Sequence, residues 1–315
     1  MNELDIQILK EYDINEVESI KRIPRENKDM WYVNDKYFLK KFADLKKLEE
    51  MLLINTELYQ SGVPVAKYYK TNARKLYVEL NNEYYTLADK IIGSHSENER
   101  YTENYKIGAF SLGQNIAKLH TALIKLSDKL PYEKVNMDSM SENQLRWILD
   151  EISEKKLEIR KEIIDYSLSF DELYHSLPRQ LIHCDLHAYN ILFKNGEITA
   201  FLDFEVLQIN VRLHDICYYM RGEIDGKDTT DEKIVEKWLE IFKNLLSGYN
   251  TVSELKQEEI DALPYMFIFN HLTGIVLFSS VGLPEDIIIK GIKFLNWFYD
   301  NKSKFMFSKQ DIMQE

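Results

Sequence analysis

The sequence has few of the residues and segments that mark several protein classes. It contains only two cysteines, Cys184 and Cys217, which argues against a disulfide-stabilised secreted scaffold and favours the reducing cytoplasm. The first ten residues, MNELDIQILK, show no basic segment followed by an apolar one, so no signal peptide is predicted. The most apolar segment, 266–278, is shorter than a membrane span and includes Asn270 and His271. It predicts a buried helix and no membrane contact.

Basic residues are also in deficit. The chain has 40 Lys and Arg against 52 Asp and Glu, which gives a net charge of −12. Because nucleic-acid binding requires clustered basic residues and no basic patch is evident, we expect no nucleic-acid partner. The 315 residues are 45% apolar and 29% charged. They are sufficient for one large bilobal fold or two domains with a sizeable core.

The chain has no internal repeat and no Gly/Ser-rich or Pro-rich linker. In its first ninety residues, two aromatic and β-branched segments flank Asn34-Asp35, a helical pattern covers 45–60, and two further strand patterns flank Asn81-Asn82. Helical patterns over 105–126 and 143–177 come next, followed by short strands and then helices almost to the end. This order predicts an α+β protein. Its small N-terminal part has antiparallel strands and one helix, and its large C-terminal part is mostly helical.

The most informative segment is LIHCDLHAYNILFKNGEITAFLDFE, residues 181–205. Phosphoryl transfer requires a carboxylate that orients the acceptor hydroxyl and takes its proton, together with amide and carboxylate oxygens that hold magnesium. Asp185 is placed to be the base, and Asn190 and Asp203 are placed to be the magnesium ligands. The strand–turn–strand pattern between them predicts a hairpin that returns Asp203 to the side of Asn190.

A zinc site is the alternative interpretation of the same segment. His183 and His187 are four residues apart with the Cys184 thiol beside them, and these are zinc-ligand types. The two histidines would share one face only on a helix, whereas the residues before His183 predict a strand. A zinc site would also leave Asn190 and Asp203 without a role.

The segments HCDLHAYNIL and FLDFE resemble the catalytic loop and metal motif of the aminoglycoside phosphotransferase and choline kinase-like superfamily, which usually shows H-G-D-x-x-x-x-N and I-D-[FW]-[DE]. Weaker similarities extend over most of the chain. They are NDKYFLK at 34–40, GVPV at 62–65, YTLADKIIG at 85–93 and the LG…LH helix at 112–120. The branches that look closest are homoserine-kinase-like enzymes, antibiotic kinases and spore-coat kinase-like proteins.

The resemblance implies a bilobal protein-kinase-like fold. The nucleotide-binding lobe would comprise residues 1–92 and end in a hinge at 87–93. The helical lobe would comprise residues 94–315, with the catalytic loop at 183–190 and the metal motif at 203–205.

The resemblance also implies contacts with the nucleotide phosphates. Lys40 would contact the α- and β-phosphates, and a glutamate from the first helix would pair with it. Glu50 is our candidate for this partner, with Glu49 and Glu57 as rivals.

Further roles follow from the same resemblance. The backbone around Ala88, Asp89 and Lys90 would bind the adenine edge. His183 would brace the catalytic loop, and Asp215, in the segment RLHD, would be the structural carboxylate that supports it.

The sequence departs from the family pattern at two places. Cys184 stands where the family usually has glycine, which changes the conformational freedom of the loop. The segment 23–30, IPRENKDM, which would cover the nucleotide, has no glycine.

These observations predict a cytoplasmic small-molecule kinase that uses ATP, or GTP, with magnesium. Its acceptor would be the hydroxyl of an antibiotic, homoserine, choline or a similar compound. Residues 223–261 carry eleven acidic and five basic residues, which fits a cationic acceptor but fits a solvated helix face as well. The alternative is a kinase-like nucleotide-binding or structural protein without turnover, such as a spore-coat component.

Overall fold

The computed structural model of the protein describes residues 3–24, 29–130 and 142–313. Five strands near the N-terminus form one antiparallel sheet in the order β1-β2-β3-β5-β4. The elements of this part are α1 (Glu3–Glu11), β1 (Ile20–Arg22), β2 (Met30–Val33), β3 (Tyr37–Phe42), α2 (Leu45–Gln60), β4 (Val78–Leu80) and β5 (Glu83–Asp89).

Two tight turns set the register of the sheet. Asn34 and Asp35 join β2 to β3 with φ of 51° and 53°, and Asn81 and Asn82 join β4 to β5 with φ of 56° and 59°. Two successive residues at positive φ form the turn whose twist matches an antiparallel hairpin, and Asn and Asp tolerate that conformation better than most residues. Both hairpins predicted from the sequence are therefore present.

This part of the chain has two helices, so the prediction of a single helix is corrected. Ile8 and Leu9 of α1 are fully buried and pack with Val33, Leu39 and Leu87 of the sheet. A helix of nine residues is marginal in isolation and is stabilised mainly by such packing. Its local sequence therefore gives little indication of it.

The rest of the chain is mainly helical. Its helices are α3 (Glu97–Arg100), α4 (Tyr105–Ser127), α5 (Glu142–Glu154), α6 (Lys161–Ser176), α7 (Leu213–Ile224), α8 (Glu232–Val252), α9 (Gln257–Asp261), α10 (Leu263–Ser280), α11 (Glu285–Asp300) and α12 (Lys309–Ile312). Four short strands lie among them: β6 (Arg179–Ile182), β7 (Ile191–Lys194), β8 (Glu197–Phe201) and β9 (Gln208–Val211). The helical pattern over 143–177 corresponds to two helices, and Lys156 between them has a left-handed φ of 53°.

Helices α4 and α8 approach each other at backbone distance. A Cβ atom added at Gly113 would lie 1.9 Å from the carbonyl oxygen of Leu245, and one added at Gly248 would lie 1.9 Å from that of Phe110. Only glycine permits this approach, because real Cβ atoms do not come so close to a backbone oxygen. The contact fixes α4, whose C-terminal half supports the site described below.

Helix α10 is long and apolar enough to cross a membrane, with a mean hydropathy of 1.3 over 18 residues, yet 61% of it is buried inside the protein. Phe267, Phe269 and Ile275 lie in the large apolar core that the C-terminal helices share with α2. Helix α10 is thus the buried helix predicted over 266–278.

The four short strands form two separate antiparallel pairs, β6 with β9 and β7 with β8. Ser94 exchanges backbone hydrogen bonds of 2.8 and 3.0 Å with Phe193 of β7. The chain that leaves β5 at Asp89 is therefore attached to the β7–β8 hairpin within a few residues. A lobe boundary at residue 92 and a hinge at 87–93 stay predictions.

Candidate active site

One buried carboxylate holds the loop that follows β6. Asp215, in the first turn of α7, has no exposed surface. Its Oδ2 accepts the backbone N–H of His183 and its Oδ1 that of Cys184, both at 2.8 Å. His120 Nε2 of α4 lies 3.0 Å from Oδ2. The start of the loop is thus attached to two helices through a single side chain.

The charge of Asp215 is stabilised by these contacts. Burial alone would raise its pKa, but the hydrogen bond from His120, the nearby His214 with its Nδ1 at 3.7 Å and the positive potential of the neighbouring histidines hold the pKa far below its ordinary value. Tyr249 completes the arrangement, since its hydroxyl lies 2.9 Å from His120 Nδ1.

His183 connects the loop to the second half of the site. Its Nε2 donates to the carbonyl of Leu202 at 2.9 Å, and its Nδ1 accepts the N–H of Asp185 at 3.3 Å. The ring of Phe204 packs on the imidazole at 5.1 Å. Because both ring nitrogens are engaged, His183 in this arrangement has no lone pair to offer to zinc.

Asp185 and Asn190 are in direct contact. The amide nitrogen of Asn190 donates to the backbone carbonyl of Asp185 at 2.8 Å and to its Oδ2 at 3.1 Å. His187 Nε2 lies 3.5 Å from the same Oδ2. Burial would raise the pKa of Asp185, but His187, His183 and Asn190 outweigh it and the pKa lies below its ordinary value. Asp185 is therefore a half-buried carboxylate that stays ionised at neutral pH.

The β7–β8 hairpin brings Asp203 close to Asn190. Ile191 pairs with Phe201 at the open end of the hairpin, and the N–H of Leu202 donates to the carbonyl of Asn190 at 2.9 Å. Asp203 follows in the left-handed conformation, with φ of 62°. The close approach predicted from the strand–turn–strand pattern is therefore present at the level of the backbone.

Cys184 explains why glycine is usual at its position in the related motif. Its φ is 63°, in the left-handed region where a Cβ atom is unfavourable and glycine is not. The loop nevertheless has the conformation in which the backbone N–H groups of His183 and Cys184 both point to Asp215. Burial raises the pKa of the Cys184 thiol well above its ordinary value, and Asp215 raises it further, so this thiol is a poor nucleophile.

Lys40 lies in β3 opposite Thr86 of β5, with its ammonium 4.5 Å from the ring centre of Phe42. The two rivals of Glu50 have other partners. Glu49 accepts from Tyr77 at 3.4 Å, and Glu57 pairs with Lys129 at 2.7 Å.

The predicted adenine-binding segment lies at the end of β5. Ala88 pairs with Phe38 within the sheet. The N–H of Asp89 donates to the carbonyl of Lys67 at 3.0 Å, and that of Lys90 donates to the carbonyl of Lys36 at 2.9 Å. Two of the predicted donors are thus already used within the protein.

The glycine-free segment 23–30 falls partly on residues 25–28, which lie outside the described part of the chain. Asp29, which follows them, pairs with Arg22 at 2.7 Å and with Lys41 at 2.8 Å.

Two site residues were not predicted from the sequence. His120 has no predicted role, although the LG…LH similarity at 112–120 could have pointed to it. Tyr218 of α7 lies between the catalytic loop and the following turn of the helix. Its ring centre is 6.3 Å from that of His187, and Arg221 lies 4.7 Å from it on the other side.

Several acidic residues of 223–261 form ion pairs with basic residues of the same chain, two of them buried and two at the surface. The pairs are Glu223 with Arg100 at 3.3 Å, Glu240 with Lys106 at 2.7 Å, Glu254 with Lys309 at 2.9 Å and Glu259 with Arg212 at 2.7 Å. Because these charges are partly neutralised internally, the segment lends no specific support to a cationic acceptor.

Residues 19–254 match the family model described as the phosphotransferase enzyme family. The chain belongs to the phosphotransferase enzyme family. A homoserine kinase of Methylobacillus flagellatus is 23% identical over 274 residues, which are 82% of this chain and 79% of the relative.

Solved structures of phosphotransferases share the fold. An amicoumacin kinase in complex with AMP-PNP and Ca²⁺ is similar with a TM-score of 0.60 and 17% identity, over 90% of this chain and 89% of that one. A microcompartment-associated aminopropanol kinase is similar with a TM-score of 0.59 and 16% identity, over 99% and 98% of the two chains. The predicted superfamily and the predicted α+β, protein-kinase-like fold are confirmed. The phosphotransferase is a small-molecule kinase, as the sequence predicted.

Proposed function

We propose that this phosphotransferase moves the γ-phosphoryl group of ATP, or of GTP, to a hydroxyl group of a small molecule, with magnesium as the metal. The observation that carries the proposal is the convergence of Asp185, Asn190 and Asp203 on one loop and one hairpin, above the buried Asp215. Phosphoryl transfer depends mainly on such positioning and on charge neutralisation.

Asp185 is the proposed base. It is ionised at neutral pH and held by Asn190, so it can accept a hydrogen bond from the acceptor hydroxyl. As the acceptor oxygen forms its bond to the γ-phosphorus, the bond from that phosphorus to the β–γ bridging oxygen breaks. The hydroxyl proton passes to Asp185, and the nucleoside diphosphate leaves.

Asn190 and Asp203 are the proposed magnesium ligands. The amide nitrogen of Asn190 faces Asp185, which leaves its amide oxygen for a cation, and the carboxylate of Asp203 is exposed. Hard oxygen donors of this kind are what magnesium prefers, alongside water and phosphate oxygens. Bound magnesium would supply neutralisation of the phosphate charge.

Lys40 is the proposed contact for the α- and β-phosphates, with Glu50 as its partner. The adenine edge would lie against the segment that follows β5. Since the N–H groups of Asp89 and Lys90 are engaged, we place the donor to the adenine ring at Ile91 or Ile92. Closure of the two parts of the chain would occur about residues 87–93.

A kinase-like protein without turnover is the competing function. The presence of Asp185, Asn190 and Asp203 together argues against it, because a chain without catalytic function has no need for all three.

The first experiment measures the thermal unfolding midpoint with magnesium plus ATP, ADP or GTP, against magnesium alone. A ligand that binds only the folded state raises the midpoint, so we expect a clear shift with at least one nucleotide and a smaller one in Asp203→Asn. The absence of any shift at millimolar nucleotide would contradict the proposal.

The second experiment measures nucleoside diphosphate release with a panel of hydroxyl compounds. Asp185→Asn should lower kcat by about 10²- to 10⁴-fold, the usual contribution of a positioned base, while its nucleotide-induced shift stays intact. A variant that keeps full turnover would exclude Asp185 as the base.

A further inference from the structure

The proposed magnesium ligand Asn190 is flanked by contacts with one histidine from another part of the chain. His95 lies in the connection between β5 and α3. Its Nδ1 donates to the carbonyl of Ile191 at 3.1 Å, and its ring centre lies 5.9 Å from that of Tyr189. Because a carbonyl oxygen can only accept a hydrogen bond, this contact places a proton on Nδ1. His95 therefore contacts both the residue before Asn190 and the residue after it.

The same connection is attached to the other end of the β7–β8 hairpin as well. At the turn of the hairpin, the Glu99 side chain accepts the N–H of Asn195 and the Glu99 carbonyl accepts that of Gly196, both at 2.7 Å. The hairpin is thus held against α3 along its length. His95 makes the contact that lies nearest to Asn190.

His95 is held in turn by a buried ion pair. The guanidinium of Arg100, at the end of α3, donates from Nη1 to the carbonyl of His95, and its Nη2 lies 3.3 Å from Oε1 of Glu223 in α7. The side chains of Arg100 and Glu223 are only 12% and 2% exposed. Within the described chain, neither carboxylate oxygen of Glu223 has a hydrogen-bond partner. Its main electrostatic partner is Arg100.

An ion pair of this kind contributes little to stability. Burial raises the pKa of the Glu223 carboxyl, and the attraction of Arg100 does not offset that effect. Replacing a buried pair by apolar side chains of similar size is often neutral or stabilising. What this pair provides is a fixed direction for Nη1 of Arg100, and with it a fixed position for His95.

Helix α7 is therefore connected to both ends of the loop 183–190. Asp215, in its first turn, binds the start of the loop directly. Glu223, near its end, acts on the residues beside Asn190 through Arg100 and His95. Contacts behind a metal ligand orient that ligand and thereby set the affinity for the metal.

We propose that His95 is a positioning residue for Asn190, and that the buried pair of Arg100 and Glu223 positions His95. The proposal rests on the proposed magnesium-dependent kinase function and adds to it three residues outside the catalytic loop and the metal motif. His95 acts by limiting the orientations of Asn190 before magnesium binds.

The test measures how much magnesium the nucleotide requires for binding. The unfolding midpoint is recorded with a constant excess of ADP while magnesium is raised from zero, and the readout is the magnesium concentration that gives half of the magnesium-dependent rise. The midpoint without ADP and magnesium is recorded for every variant, so a loss of stability is separated from a loss of metal affinity. A wild type without any such rise would overturn both the proposed function and this inference. Where the wild type shows the rise, the comparison of variants tests the positioning role alone.

Matched substitutions isolate the contact. His95→Leu removes the donor, whereas His95→Asn keeps a nitrogen donor at the same distance from the main chain. His175→Leu is the control, because Nδ1 of His175, on the exposed surface of α6, also lies 2.8 Å from a backbone carbonyl, that of Asp171. The double change Arg100→Met and Glu223→Leu removes both buried charges together, which avoids leaving one of them unpaired.

We expect His95→Leu and the double variant to require about 3- to 10-fold more magnesium than the wild type, the effect of one lost hydrogen bond. Their midpoints without ligand should change little, and His95→Asn and His175→Leu should have the magnesium requirement of the wild type. The positioning role would be overturned by an unchanged requirement in His95→Leu, or by an equal increase in His95→Asn or His175→Leu. An unchanged requirement in the double variant would overturn the role of Arg100 and Glu223.

Discussion

The change Asp215→Asn tests whether the buried carboxylate of Asp215 holds the proposed catalytic loop in place. The two side chains have nearly the same shape, but one acceptor oxygen becomes an N–H donor. In the wild type both oxygens are used, by His183 and Cys184 at 2.8 Å and by His120 at 3.0 Å. Whichever way the amide is turned, at least one buried N–H group loses its acceptor and faces another donor.

The size of the effect follows from these contacts. A buried donor left without an acceptor costs about 1–3 kcal/mol, and each hydrogen bond that loses its charge assistance costs about 1 kcal/mol more. Together these amount to about 3–5 kcal/mol, the range found when one partner of a buried charged group is removed. Single domains have free energies of unfolding of about 5–15 kcal/mol, so a large share of the stability would be lost.

The effect has a defined dependence on pH. The pKa of Asp215 in the folded protein is far below its ordinary value, whereas in the unfolded chain it is about 4. The ionised group therefore contributes its full stability above about pH 4, and the contribution is lost as the pH falls toward the folded pKa. The difference between wild type and Asp215→Asn should accordingly be constant near neutrality and shrink below pH 4.

Urea unfolding followed by tryptophan fluorescence provides the measurement, and Asp185→Asn is the matched control. The control changes a neighbouring carboxylate that is half-buried, so it should lower kcat by about 10²- to 10⁴-fold with little loss of stability. Asp215→Asn should lose both turnover and stability. If Asp215→Asn were within about 1 kcal/mol of wild type, the three hydrogen bonds would not hold the loop and this reasoning would be refuted.

Three further substitutions test other parts of the structure. Burial lowers the pKa of His271 to about 3, so the stability that neutral His271 contributes is present above pH 6.5 and is lost as the pH falls, by about 1.4 kcal/mol per pH unit. His271→Gln should therefore flatten the curve of unfolding free energy against pH below pH 6.5. An unchanged slope would contradict the burial of His271 as a neutral group. Cys184→Gly should fold and keep activity, because relief of about 1–2 kcal/mol of left-handed strain offsets the greater entropy of the unfolded chain. Cys184→Val should be destabilised. Equal unfolding midpoints for the two variants would show that no strain is present. Gly113→Ala should lower the free energy of unfolding by about 1–3 kcal/mol, because its methyl group would overpack against Leu245. Gly222→Ala is the control: it has open space at its Cβ position and should stabilise its helix by up to about 1 kcal/mol. Equal denaturation midpoints for the two variants would contradict the close packing of α4 and α8.

Local features of the sequence predicted those parts of the fold that local chemistry determines. The Asn34-Asp35 and Asn81-Asn82 turns could be recognised because the residues that tolerate positive φ are few. Helix α2 has the predicted bounds, since its apolar spacing is regular and Asp44 caps it through the N–H of Lys47 at 3.1 Å. Strands β1 and β9, with three and four residues, were missed because so few residues carry no distinguishable period.

The candidate site was predictable to the extent that it lies on contiguous motifs. Asp185 and Asn190 share one loop, and Asp203 follows the hairpin that begins after Asn190, so their spacing sufficed to bring them together. The contact of His120 with Asp215 joins residues 95 positions apart, and no local pattern indicates which partner a buried histidine will find. The same holds for the acidic segment 223–261, because net charge along a sequence does not show which side chains are neutralised by pairing.

Helix α7 carries three buried ionisable side chains, Asp215, Arg221 and Glu223, and the first two differ in how far their partners compensate for burial. Asp215 at its start receives hydrogen bonds from three other residues, and its charge is fully used to hold the loop. Arg221, near the end of the same helix, donates to the carbonyl of Asn270 and lies 4.7 Å from the ring centre of Tyr218, and among the described residues its Nε has no hydrogen-bond partner. Burial costs both groups desolvation energy. The partners of Asp215 outweigh that cost, so its pKa lies far below the ordinary value and the charged form is favoured. Tyr218 and Asp225 do not outweigh it at Arg221, so the pKa of Arg221 is lowered and its charged form is disfavoured.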